Sequence, residues 1–258
     1  RITSLTIPIP ATSGLSDCCR DFGAISKDNV EFGTDEIDNA FAQLAAATAG
    51  LGLDLQVVID SAIAGERLNV LLDHQGFEGD PDPAFVIAAL DGVPDALSAG
   101  ALAAGPGTMT LALPFAGVTL AYRFEDVEIE AIVTVGAGVT YTAGMLSGYL
   151  KVDDYFGGIN DFVATSCACL GLTGPLYSRT ATTWTEQCMD VAIVDANCPA
   201  AADAGCREVA SGTDCTASPI IIPSLADLDT DSGQPGYESL SLGLRFTAVP
   251  ATVSGVTP

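Results

Sequence analysis

The residues best spaced for chemistry lie near the C-terminal end, in Asp227-Leu-Asp229-Thr-Asp231-Ser-Gly-Gln-Pro-Gly-Tyr-Glu238. Counted from Asp227, its carboxylates fall at the first, third, fifth and twelfth places, the offsets at which an EF-hand loop offers oxygens to calcium. Carboxylates set so close repel one another unless a cation or water screens them. The stretch departs from an EF-hand at Ser232, where the turn asks for Gly, and at Pro235. No strong helix pair flanks it. Two readings stay open: a calcium loop of the D-x-D-x-D kind held by Asp227, Asp229, Asp231 and Glu238, or a solvated acidic turn. Asp80 with Asp82, and Asp153 with Asp154, read as solvated turns.

Other chemistries find little support. Asp231-Ser-Gly233 matches half of an aspartic protease signature, but such an enzyme needs a second Asp-Thr/Ser-Gly to share the proton, and none is present. There is no G-x-S-x-G, no S-x-x-K and no Walker-type loop. His74 is the single imidazole and has no recognisable nucleophile beside it. Glycoside hydrolysis needs only two carboxylates, but an aromatic cleft is hard to build with one Trp and 7% aromatics.

Eight cysteines stand at 18, 19, 167, 169, 188, 198, 206 and 215. The even count and the six clustered in 167–215 read as disulfides, and hence as an oxidising compartment. Zinc is the poorer reading, because no C-x-x-C occurs. Cys18 and Cys19 are expected to bond elsewhere, most simply within 167–215, because ordinary bridges join Cα atoms roughly 4.4–6.8 Å apart. The pairing itself stays open.

The chain has 258 residues, with 9 Lys plus Arg against 33 Asp plus Glu, for a net charge of −24. Only 16% of residues are charged and 48% are hydrophobic, so this is a core-forming chain and not a disordered acidic tail. Nucleic acid and anionic membrane are excluded as partners, because both ask for a basic footprint. Residues 96–122 are uncharged, but Pro106, Pro114 and their Gly, Ser and Thr make a membrane-spanning helix a poor reading. The opening at Arg1, without Met, reads as a processed product or a fragment.

The positioning elements follow from periodicity. Residues 1–10 read as an extended segment that Pro8 and Pro10 confine to an edge. Ile2, Leu5, Ile7 and Ile9 would pack in an ordinary edge strand, or pair with another subunit by strand addition. Residues 34–50 predict a helix capped by Thr34, with Asp35 and Glu36 in its first turn and Ile37, Phe41, Leu44 and Ala45 on the buried face. A second helix is predicted over 54–64. Asp38, Gln43, Gln56 and Asp60 fall on the wet faces. Strands are predicted at 68–73, 84–90, 108–113, 118–124, 127–135, 139–142, 146–152 and 239–248, with a loop at 93–107 and a short helix at 154–164. The fold class expected is α+β, predominantly β. It would be a sandwich-like antiparallel meander with two N-terminal helices and a disulfide-rich C-terminal subdomain. The expected divisions are a β-rich domain at 1–165, a Cys-rich subdomain at 166–218, and 219–258 returning to the main domain.

Three stretches carry a resemblance: Ile37-Asp38-Asn39 onward to Gly65; Phe124-Glu-Asp-Val-Glu-Ile-Glu130 with Gly144-Met-Leu-Ser-Gly148; and Asp227-Leu-Asp-Thr-Asp-Ser-Gly233 with Leu240-Ser-Leu-Gly-Leu244. Together they resemble a loose group of predicted secreted proteins from myxobacteria and related bacteria. The resemblance implies export behind a cleaved signal and a low-complexity linker, and the Asp-rich loop. It implies no activity. The expectation is therefore an exported, non-catalytic structural protein, extracellular or at the cell surface, self-associating as a homo-oligomer, filament or surface layer. The alternatives are a calcium-dependent adhesion or glycan-binding module, and a secreted hydrolase of unfamiliar type.

Overall fold

The computed structural model describes residues 1–8, 18–33, 36–50, 55–64, 70–73, 85–88, 101–115, 118–135, 139–170, 175–180, 183–186, 206, 221–231 and 236–249. Ile9, His74, Asp80, Asp82, Cys188, Cys198 and Cys215 lie outside them. In chain order the elements are β1 (Ile2–Thr6), α1 (Ala40–Gly50), α2 (Leu55–Ala64), β2 (Val70–Asp73), β3 (Phe85–Ala88), β4 (Ala101–Phe115) and β5 (Val118–Val135). Then follow β6 (Val139–Lys151), α3 (Val152–Ser166), β7 (Tyr177–Thr180), β8 (Thr183–Glu186), α4 (Ile221–Leu225) and β9 (Ser239–Ala248).

The main body is a five-stranded antiparallel sheet in the order β1-β9-β6-β5-β4. The fold is α+β and predominantly β, as the alternating apolar pattern implies. Leu242, Leu244, Phe246 and Ala248 of β9 join Ile2 and Leu5 of β1, and Tyr122, Phe124 and Ile129 of β5, in one core. Phe41 and Leu44 of α1 and Ile59 of α2 are buried in the same core.

Three long strands replace the five predicted over 108–152. The ladder slips between Glu125 and Glu128 and again between Tyr141 and Gly144. Asp126 and Ala143 sit at positive φ in those slips. Bulges of this kind break the two-residue period without ending the strand, so the sequence pattern reads as separate strands. β4 also reaches back to Ala101, into the predicted loop.

The predicted helix over 34–50 begins only at Ala40. Asn39 is its cap, accepting the Ala42 N–H at 3.2 Å through Oδ1. β2 and β3 pair in parallel as a separate small sheet. The β7–β8 hairpin packs on α3, where Phe156 meets Tyr177 and Trp184 with ring centroids 4.4 Å apart in each case.

One bridge joins Cys167, at the end of α3, to Cys206, with Cα atoms 5.5 Å apart. Cys169 is also disulfide-bonded. Contrary to expectation, Cys18 and Cys19 pair with each other. Their Cα atoms lie 3.1 Å apart. The expectation of distant partners rests on the Cα spacing of ordinary bridges, and this pair lies below that range.

Candidate functional site

The richest polar cluster lies where β9 runs past the end of β1. β1 covers β9 only from Arg245 to Ala248. From Ser239 to Leu244 that side of the strand has no strand neighbour among the described residues, although its own residues are buried. Backbone groups buried there need partners. Side chains supply them. The Asn39 carboxamide pairs with both backbone groups of Gly243: Nδ2 donates to the carbonyl at 3.0 Å, and Oδ1 accepts the N–H at 3.1 Å. Asp227 Oδ1 accepts the Ser241 N–H at 2.8 Å, and Oδ2 accepts the Ser241 hydroxyl. Ser241 Oγ in turn accepts the Ala40 N–H at 2.8 Å, tying the first residue of α1 to the strand. Leu228 completes the row with a bridge to Ser239 and a second bridge to Ser26.

The sequence explains why the layers approach so closely. Opposite Leu240, Leu242 and Leu244, the strand carries only Ser239, Ser241 and Gly243. A Cβ on Gly243 would stand 2.9 Å from Asn39 Nδ2 and 3.0 Å from the Cys18 carbonyl oxygen. Only the smallest residue leaves that room.

Asp38 performs a second closure. Its Oδ2 accepts the Phe22 N–H at 2.8 Å, and Arg20 forms an isolated bridge with Asp38. The buried Ser26 hydroxyl contacts both Asp38 Oδ1 and Asp28 Oδ1. Burial pushes Asp38 up to about 6 against the hydrogen bonds from Phe22 and Ser26, with the nearby Asp28 and Asp21 charges adding to the rise. Burial also pushes Asp227 up to about 7, against the two hydrogen bonds from Ser241. Raised carboxyls often mark catalysis, but these two are spent on backbone N–H groups and serine hydroxyls.

The four carboxylates of the predicted calcium loop make different contacts. Asp227 faces Ser241. Glu238 Oε1 accepts from Thr230 N at 2.6 Å, Thr230 Oγ1 at 2.5 Å and Asp231 N at 2.9 Å, closing the loop on itself. Asp231 is exposed. Asp229 Oδ1 and Glu238 Oε2 are buried and have no hydrogen-bond partner among the described residues. Those residues contain no group of three His, Cys, Asp or Glu side chains placed to hold a metal.

The strand residues Ile2, Leu5 and Ile7 are core residues. On the outer side of β1, Gln56 of α2 pairs with the strand: Nε2 donates to the Leu5 carbonyl at 3.0 Å and Oε1 accepts the Ile7 N–H at 2.8 Å. Asn160 of α3 repeats the device on β7, donating to the Tyr177 carbonyl at 2.8 Å and accepting its N–H at 2.9 Å. Asp38 and Gln56, read in the sequence as wet-face residues, are thus structural closures. A depression of about 60 Å³ lies among Cys19, Arg20, Glu128, Glu130, Met145 and Ser147. It has room for water and is several-fold smaller than a typical small-molecule site. Arg20 is held there by Asp126 at 3.0 Å and Glu128 at 3.2 Å.

Comparison with family models, curated proteins and solved structures returned no match.

Two outcomes test this arrangement. Asn39→Ala removes both partners of Gly243 and the cap of α1, and should cost about 2–4 kcal/mol in urea unfolding. A loss under about 0.5 kcal/mol would contradict the pairing. The second concerns pH. Folded Asp38 and Asp227 keep protons that the unfolded chain releases near pH 4. Stability is therefore full below that pH and falls as pH rises through 6 and 7. Wild type should lose about 2 kcal/mol or more between pH 5 and 8. Asp227→Asn should lose much less and match or exceed wild type at pH 8. An unchanged slope in that variant would place the titration elsewhere.

Proposed function

We propose that the chain is an exported, non-catalytic structural domain that self-associates into an extracellular assembly. The observation that supports this best is where its polar side chains go. Asn39, Gln56, Asn160, Asp38 and Asp227 close its own strand edges and turns rather than converge on a cleft. The Cys167–Cys206 bridge favours an oxidising compartment. Material recovered from cells and medium, labelled for free thiols and imaged by negative stain, tests the reading. It predicts extracellular protein without labelled cysteines, in ordered assemblies. Cytosolic protein with labelled thiols, or dispersed monomers alone, would contradict it.

A second reading is favoured by the two unpartnered carboxylate oxygens. Asp229 and Glu238 would offer Oδ1 and Oε2 to a calcium ion, with carbonyls and water completing the sphere, as an adhesion or glycan-binding module of this kind would require. Asp227 is not a ligand in this version, because both of its oxygens are engaged by Ser241. At 1 mM calcium, wild type and Asp227→Asn should both gain about 1 kcal/mol of stability, the gain for an extracellular-type affinity. Asp229→Asn should gain none. An equal response in all three proteins, or in none, would reject the site.

A further inference from the structure

Two of the sheet's open edges are closed by carboxamides, and among the described residues one is not. β4 is the last strand of the five-stranded sheet. It pairs inward with β5 along its whole length, from Ala101 opposite Ile132 to Phe115 opposite Val118. Among the described residues no strand pairs with its outer side. β3 lies against it but makes its hydrogen bonds to β2. Gly105, Pro106, Gly107, Thr108 and Thr110 are exposed, while Met109 between the two threonines is buried.

Edge strands of monomeric proteins are usually blunted by charge, above all by Lys. β4 carries none: no residue from 96 to 122 is charged, in a chain of net −24. Pro106 and the register slips between Ala104 and Met109 disturb its first half. From Met109 to Leu113 the ladder with β5 is regular, each residue opposite one partner from Phe124 to Leu120. An edge of this kind presents alternating donors and acceptors that are complementary to a copy of themselves running the other way.

We propose that the outer edge of β4, centred on 109–113, pairs antiparallel with the same strand of a second copy of this chain. The pair would stand about a two-fold axis, continuing two five-stranded sheets as one. The charge pattern selects this occupant. Two chains of −24 repel over most of their surfaces, and the uncharged β4 strip lets them approach without setting like charges opposite each other. The proposal rests on the self-association proposed above and moves the contact to the sheet edge opposite the N-terminal strand, whose outer side Gln56 occupies.

Sedimentation velocity from about 1 to 200 μM tests it with three proteins: wild type, Thr108→Glu with Thr110→Glu on β4, and Thr3→Glu with Thr6→Glu on β1. All four threonines are exposed in the single chain, and the two variants carry the same added charge. Wild type and the β1 variant should form dimers with similar affinity. The β4 variant should be weakened at least tenfold, with unchanged circular dichroism and melting temperature. Amide exchange of wild type gives a reading without substitution: protection across 109–113 should rise with concentration. A wild-type monomer throughout the range, a dimer that survives the β4 charges, or protection independent of concentration would overturn the proposal. Dimers broken only by the β1 charges would keep self-association and reject the β4 edge.

Discussion

The structure turns on the half of β9 that β1 leaves uncovered. A central strand cannot bury an edge without giving its N–H and C=O groups partners, and no sixth strand lies alongside among the described residues. Asn39 and Asp227 take that place as side chains, with the backbone of Leu228 beside them. Because Asn39 is also the cap of α1, and Ser241 also accepts from Ala40, the same contacts set where the first helix starts and how it meets the sheet. The chain before α1 and the chain before β9 are thereby fastened to one strand, although about 200 residues separate Asn39 from Gly243. Gln56 on β1 and Asn160 on β7 answer the same constraint in the same way. A carboxamide can set one of its N–H donors and its carbonyl acceptor at peptide-like spacing, so it can stand in for a single residue of a missing strand.

The acid balance takes on a different meaning against this frame. Burial makes a carboxylate costly, and it pushes Asp38 up to about 6 and Asp227 up to about 7. Ser26 and Ser241 then serve as hydroxyl partners on each side. The surface acid is handled differently. Arg20 sits between Asp126 and Glu128, Lys151 meets Glu125 at 2.9 Å, and Arg179 meets Asp153 at 2.9 Å. Partial exposure and salt keep each of those pairs weak. Buried acid is structural here, and surface acid is left to ion pairs and solvent.

The apolar half of this design was legible in the sequence. The alternation of Leu240, Leu242, Leu244 and Phe246 places β9 at the residues where it is found, and the second helix lies within one residue of its predicted start. What escaped was the opposite face of β9. Ser239, Ser241 and Gly243 look like water-facing residues, and their smallness is the one local sign that another layer lies against them. Asp38 and Gln56 fall on polar helix faces in the pattern and were assigned to solvent. A hydrogen bond spanning 204 residues leaves no periodicity to read. Asp227 illustrates the limit most sharply: its spacing from Asp229, Asp231 and Glu238 suits a calcium loop, while its environment turns it toward Ser241. The bulges at Asp126 and Ala143 escape for a related reason, because a two-residue period presumes regular strands.

The account stands on side chains acting as the missing strand, and amide exchange reads that directly. Ser241 and Gly243 direct their N–H groups to Asp227 and Asn39, while Leu242 and Leu244, by alternation, direct theirs to β6. At pH 5, residue-resolved exchange of the wild-type protein should show Ser241 and Gly243 protected as strongly as Leu242 and Leu244. Fast exchange at Ser241 and Gly243, beside slow exchange at the two leucines, would mean that this edge is open and would contradict the account.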